Sequence, residues 1–183
     1  MKTTTNTRTL SLAWKGPLGA EPRYELWAGE DRLATLIQGS PTRTFATVET
    51  PEGFWTLEQL GFLRPCIHLR EEGSDQDLAV FNPGLLGRGH LLFTNGVSFH
   101  WRHEGFGSAA WSFLGEGGEE LITLRLSSHR ARDLEPHGID AEVEVTPAGY
   151  FSPRVSLLAA LGLYLILLQH QEWSASGPIE QVF

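Results

Sequence analysis

The sequence predicts a mainly β fold: an antiparallel barrel of about twelve strands with a buried hydrophobic C-terminal α-helix. Three observations predict it. Residues 155–168, VSLLAALGLYLILL, are apolar on every face of a helix. A long series of short alternating segments with tight turns precedes them. No long helical pattern interrupts that series, which argues against parallel βαβ units. A helix apolar all round must be covered on every side, and a closed or nearly closed sheet is the natural cover.

Residues 1–8 are polar and Thr-rich and read as a frayed start. Leu10, Leu12 and Trp14 alternate with polar or small residues, as in a half-buried strand. Segments 24–28 and 32–38 flank Gly29-Glu30-Asp31 and form a hairpin. Segment 44–49 alternates through Phe45, Thr47 and Val48, and short strands follow at 54–57 and 66–69. Segment 78–81 stops at the turn Asn82-Pro83-Gly84. Segments 90–93 and 97–101 flank Thr94-Asn95-Gly96, where Asn-Gly suits a type I′ turn. Segment 109–114 ends at Gly115-Glu116-Gly117-Gly118, and 121–126 alternates again. In 141–145, Val143 and Val145 take one face and Glu142 and Glu144 the other.

The helix begins with favourable signals. Ser152 suits an N-cap, and Pro153 suits the first turn, where its missing N–H costs nothing. At about 1.5 Å per residue the apolar run covers roughly 21 Å. A bilayer core needs about 20 apolar residues, and only Arg154 flanks the run as a cation. A buried core helix is therefore favoured over a short membrane anchor. Gly162 costs about 1 kcal/mol relative to Ala in mid-helix, and close approach of a strand backbone is the expected reason. The central helix is expected over 152–171. The tail 172–183 either hangs loose or lays Trp173 and Phe183 on the barrel.

At 183 residues the chain reads as one domain, long enough to bury a real core. Its 20 glycines and 10 prolines suit many turns. The one cysteine, Cys66, excludes an internal disulfide and reads as a buried, inert thiol. The start MKTTTNTRTL has no apolar signal region, so a cytoplasmic location is expected. Net charge is −8, and Lys2 and Lys15 are the only lysines among 14 Lys and Arg. Nucleic-acid binding needs clustered cations, so nucleic acid is not expected as a partner.

About twelve short antiparallel strands followed by one all-apolar C-terminal helix, SPRVSLLAALGLYLILLQ, resembles the tubby C-terminal-like fold. That fold is shared by tubby proteins, plant LURP-one-related proteins and phospholipid scramblases. The resemblance covers nearly the whole chain and is architectural, so it assigns no functional residue. It implies a barrel threaded by the helix, and a binding module associated with lipid or membrane. Tubby domains bind phosphoinositides through a basic groove, and this acidic chain departs from that pattern. The competing fold is a lipocalin-like barrel with an external amphipathic helix, serving as a small-molecule carrier or enzyme. A third reading is a structural subunit that associates through strand edges or aromatics.

There is no P-loop, G-x-S-x-G, H-E-x-x-H or paired C-x-x-C. No catalytic residue, metal site or cofactor is assigned. Gly84-Leu85-Leu86-Gly87-Arg88-Gly89 is glycine-rich and reads as a loop. His100 and His103 are three apart on one strand, so they point to opposite faces. Trp27, Trp55, Trp101 and Trp111 read as core. The densest cationic cluster is His129, Arg130, Arg132 and His137, the one candidate for holding an anion such as phosphate or carboxylate. Asp133 and Glu135 partly neutralise it.

Overall fold

The computed structural model describes residues 10–16, 22–39, 44–105, 108–126, 140–152 and 154–175, with side chains to residue 170. Twelve strands form one closed antiparallel barrel: β1 (Leu10–Lys15), β2 (Arg23–Ala28), β3 (Asp31–Gln38), β4 (Phe45–Thr50), β5 (Gly53–Leu60), β6 (Cys66–Glu71), β7 (Asp77–Pro83), β8 (Gly89–Phe93), β9 (Ser98–His103), β10 (Ala110–Leu114), β11 (Glu120–Leu126) and β12 (Ala141–Val145). Each strand pairs with its sequence neighbours. Closure comes from β1 and β12, where Leu10 faces Val145 and Trp14 faces Ala141. Closure leaves no unpaired edge.

The alternation in the sequence becomes inside and outside. Leu12, Trp14, Leu36, Val48, Leu57, Leu69, Phe81 and Val143 turn inward and are buried. Inside them lies α2 (Val155–Ala175). Every side chain from residue 156 to 168 is buried. Leu158, Ala160, Leu163, Tyr164 and Ile166 cover all helix faces and each has 0 % exposure. Full burial of one Leu side chain contributes about 1.5–3 kcal/mol, and barrel and helix supply this to each other. No helix among the described residues is long and apolar enough to cross a membrane.

The up-and-down order gives the barrel two distinct ends. A short helix α1 (Pro147–Tyr150) follows β12, capped by the Thr146 hydroxyl, which accepts from Gly149 N–H. From there α2 enters the barrel, with the Arg154 guanidinium 4.3 Å from the centre of the Phe93 ring. This is the entry end, where the turns β2–β3, β4–β5, β6–β7, β8–β9 and β10–β11 lie. The helix leaves at the exit end, where β5 connects to β6 and β7 to β8.

Several sequence expectations need correction. Gly162 does not admit a strand backbone; a Cβ there would lie 2.9 Å from Leu124 Cδ1 and 3.3 Å from Trp101 Cη2. Cys66 is half-exposed, not buried, because Ile67 and Leu69 take the inward phase of β6. Trp27 follows inward Leu26 and lies on the outer wall, with Lys15 Nζ 5.8 Å from its ring centre. Trp55, Trp101 and Trp111 are core, as expected. The Thr94-Asn95-Gly96 turn is not type I′. Only Leu86 among the described non-glycine residues has positive φ, so Asn95 lacks the φ that turn requires. Gly96 N–H donates to Phe93 and Gly96 has φ +89°, a three-residue loop with a glycine bulge. The helix runs to Ala175, about two turns beyond the apolar run, and α1 had no helical periodicity to announce it.

Candidate functional site

The anion candidate, His129, Arg130, Arg132 and His137, lies outside the described residues. The strands on either side of it, β11 and β12, pair through Leu126 and Ala141 at the exit end.

His100 and His103 do face opposite ways. The outward His100 ring lies 5.0 Å from that of His90, its cross-strand partner. His103 lies 5.0 Å from the Trp111 ring. No group of three or more metal-ligating side chains occurs among the described residues.

Two polar networks on the outer wall were not visible as motifs. Ser112 has 0 % exposure although it points outward. Its hydroxyl donates to Glu104 Oε1 at 2.7 Å and lies 2.9 Å from the Thr123 hydroxyl. Thr123 in turn donates to Glu120 Oε1 at 2.8 Å, and Arg102 pairs with Glu120 at 3.6 Å. This is a covered serine held by carboxylates, with no room for a substrate at Oγ. The second network crosses β5, β6 and β7. Arg70 Nε donates to Asp77 at 2.7 Å, and Arg70 Nη1 to Glu58 at 3.1 Å. His68 Nδ1 lies 2.8 Å from the other Asp77 oxygen. The hydrogen bond to Asp77 raises Arg70 above its usual range, against the effect of burial. Burial disfavours the Asp77 carboxylate, but the hydrogen bonds and charges of Arg70 and His68 outweigh it and hold the group low. Both networks bond their polar groups within the chain and serve as wall.

The exit end is different. The β5–β6 connection is Gly61-Phe62-Leu63-Arg64-Pro65, and the β7–β8 connection is Gly84-Leu85-Leu86-Gly87-Arg88. Phe62 is 97 % exposed, Leu63 89 %, Leu85 86 % and Leu86 84 %. Two strand spacings separate the connections, about 10 Å. Arg64 and Arg88 are exposed, and neither has an ion-pair partner among the described residues. The segment read as a loop contains one 3₁₀ turn, Leu85–Gly87, in which Leu86 adopts φ 58°, ψ 37°. A β-carbon is disfavoured there by about 1–2 kcal/mol, so an apolar side chain is held in water at a strained position. An open concavity of about 540 Å³ lies beside Leu85, Leu86, Arg88 and His90.

The turns of the entry end carry carboxylates. Its five turns hold six exposed carboxylates, Glu30, Glu52, Glu72, Asp75, Glu116 and Glu119, and no lysine or arginine. The adjoining α1 segment exposes Tyr150 at 65 % and Phe151 at 83 %, with ring centres 6.0 Å apart. This polarity follows from which connections the acidic residues occupy. It is legible only once alternate connections are known to share an end.

No family model, curated protein or solved structure gives a significant match to this chain.

Proposed function

We propose that this chain is a non-enzymatic binding module of tubby-like type that meets a lipid surface with its exit end. The observation that carries the reading is the set of four almost fully exposed apolar side chains on two neighbouring connections, with Arg64 and Arg88 beside them. Each tip buried below the headgroups contributes about 1.5–3 kcal/mol before the cost of association. Each nearby guanidinium adds about 1 kcal/mol at an anionic leaflet. The acidic entry end then points away from the lipid, which reduces the repulsion a net charge of −8 brings. A cytoplasmic location accords with this, because anionic lipids concentrate on the cytoplasmic leaflet. A lipocalin-like carrier needs an internal cavity, and α2 occupies that volume.

Flotation with phosphatidylcholine vesicles, with and without phosphatidylserine, tests the reading. The chain should float with the phosphatidylserine vesicles, and Phe62→Ser/Leu63→Ser should stay behind. No flotation with either vesicle removes the lipid reading.

A further inference from the structure

The two ends of the barrel complement each other. The exit end presents Phe62, Leu63, Leu85 and Leu86 with two exposed arginines. The entry end presents Tyr150 and Phe151 among turns whose only charges are carboxylates. Exposed apolar side chains at both ends of one molecule, with arginines beside one set and carboxylates in the turns around the other, fit a contact between copies. Side-by-side packing would use the outer wall, where Arg70, Asp77, Glu58, Arg102 and Glu120 already pair within the chain.

We propose that, away from lipid, the exit end of one copy is covered by the entry end of a second copy, head to tail. The proposal rests on the reading of the exit end as the working surface, and adds what covers that surface in solution. Apolar tips then meet the aromatic pair, and Arg64 and Arg88 meet the carboxylates of the turns. End-on docking brings opposite charges together in a molecule whose net charge of −8 otherwise sets copy against copy. The contact is heterologous and does not close on itself as a two-fold dimer does, so it propagates with concentration. The ends are small, which makes the contact weak and reversible. The same four apolar side chains serve assembly and lipid docking, so the two states exclude each other.

Sedimentation velocity on the full chain tests this with two variants. One carries Phe62→Ser, Leu63→Ser, Leu85→Ser and Leu86→Ser; the other carries Tyr150→Ser and Phe151→Ser. All six residues are exposed, and circular dichroism with a thermal melt checks that each variant folds. Phe151→Ser alone and Leu63→Ser alone stand in for a variant that does not. The wild-type sedimentation coefficient should rise over roughly a hundredfold range of concentration, and fall back with added salt as the charges are screened. Each variant alone should weaken association by about tenfold or more. A one-to-one mixture should give a dimer and nothing larger, because each molecule offers one working end. A wild type that stays monomeric, a variant that associates like the wild type, or a mixture that stays monomeric overturns the proposal. Vesicle flotation separates this outcome from the lipid reading. The Tyr150/Phe151 variant should float at least as well as the wild type. Dimers in the mixture with no flotation by any form remove the lipid reading and leave head-to-tail association standing.

Discussion

The hydroxyl of Tyr164, midway along the central helix, donates to the main-chain carbonyl of Thr44 at the start of β4. Tyr164 is fully buried, and burial pushes its hydroxyl well above the usual phenol range. This bond fixes how far α2 slides along the barrel axis and which face meets β4. Around it the helix packs by non-directional apolar contact, with the Arg154 guanidinium on the Phe93 ring where the helix enters.

Tyr164→Phe keeps the ring and removes the bond. The Thr44 carbonyl retains the N–H of Gln59 at 2.8 Å, so it is not left unsatisfied. The expected loss is about 0.5–1.5 kcal/mol, the net value of one hydrogen bond. Urea unfolding followed by tryptophan fluorescence measures it. A loss above about 3 kcal/mol would mean that the hydroxyl does more than hold this one carbonyl.

Gly162→Ala sets two effects against each other. Alanine favours the helix by about 1 kcal/mol over glycine. The added Cβ would stand 2.9 and 3.1 Å from the Leu124 methyls and 3.3 Å from Trp101, inside a core with no free direction. Overpacking of that kind costs about 1–3 kcal/mol. The net change should be destabilising, and Leu124→Val in the same chain should restore part of it. A raised urea midpoint for Gly162→Ala alone would show that Leu124 moves aside freely.

His170, half-buried near the helix exit, supplies a pH dependence. Burial holds its imidazole below the usual range. In the unfolded chain the group titrates near pH 6.5. As pH falls below about 6.5, the unfolded chain takes up this proton before the native one does. Stability therefore drops between about pH 6.5 and the lower native value, and this contribution is flat on either side. Asp77 acts in a separate, more acidic window. Its native value is lowered, so its contribution is lost as pH falls from about 3.9 through that value. Urea midpoints at about pH 7.5 and about pH 5.5, for wild type and His170→Gln, isolate the histidine. An equal drop in both would assign the loss to other groups.

The strands were legible because alternation is local. Val143 and Val145 opposite Glu142 and Glu144 declare two faces within five residues, and all five form β12. The helix was legible because a run apolar on all faces has few places to go. Cys66 and Trp27 were misplaced although the signal was present. Ile67 and Leu69 set the inward phase of β6, and Tyr24 and Leu26 that of β2, which puts both residues outside. The neighbours of Gly162 were not legible, since Leu124 and Trp101 come from distant strands and nothing local marks which side chain meets the notch. The Glu104–Ser112–Thr123–Glu120 network likewise depends on register across β10 and β11. The apolar tips were not legible as a surface: residues 84–89 read as a loop and residues 62–63 fall between the strands expected at 54–57 and 66–69, but nothing local says that these side chains stay exposed or that the two connections share an end. Their exposure, not their identity, singles them out.

Leu86 joins stability to function most directly. It holds φ 58° with 84 % of its surface in water, where neither packing nor hydrogen bonding rewards the strained backbone. Strain of this kind persists where a side chain is needed for something else. Leu86→Asn suits the left-handed conformation far better and removes an apolar tip. It should raise stability by about 0.5–1.5 kcal/mol and lower vesicle flotation. Leu86→Gly should also relax the strain, but its gain is smaller because glycine adds freedom to the unfolded chain. Thermal melts and flotation on the same preparations report both effects. Higher stability with unchanged flotation would take Leu86 out of the docking surface and leave Phe62, Leu63 and Leu85 to carry it. Lower stability would mean that Leu86 makes contacts its exposure does not reveal.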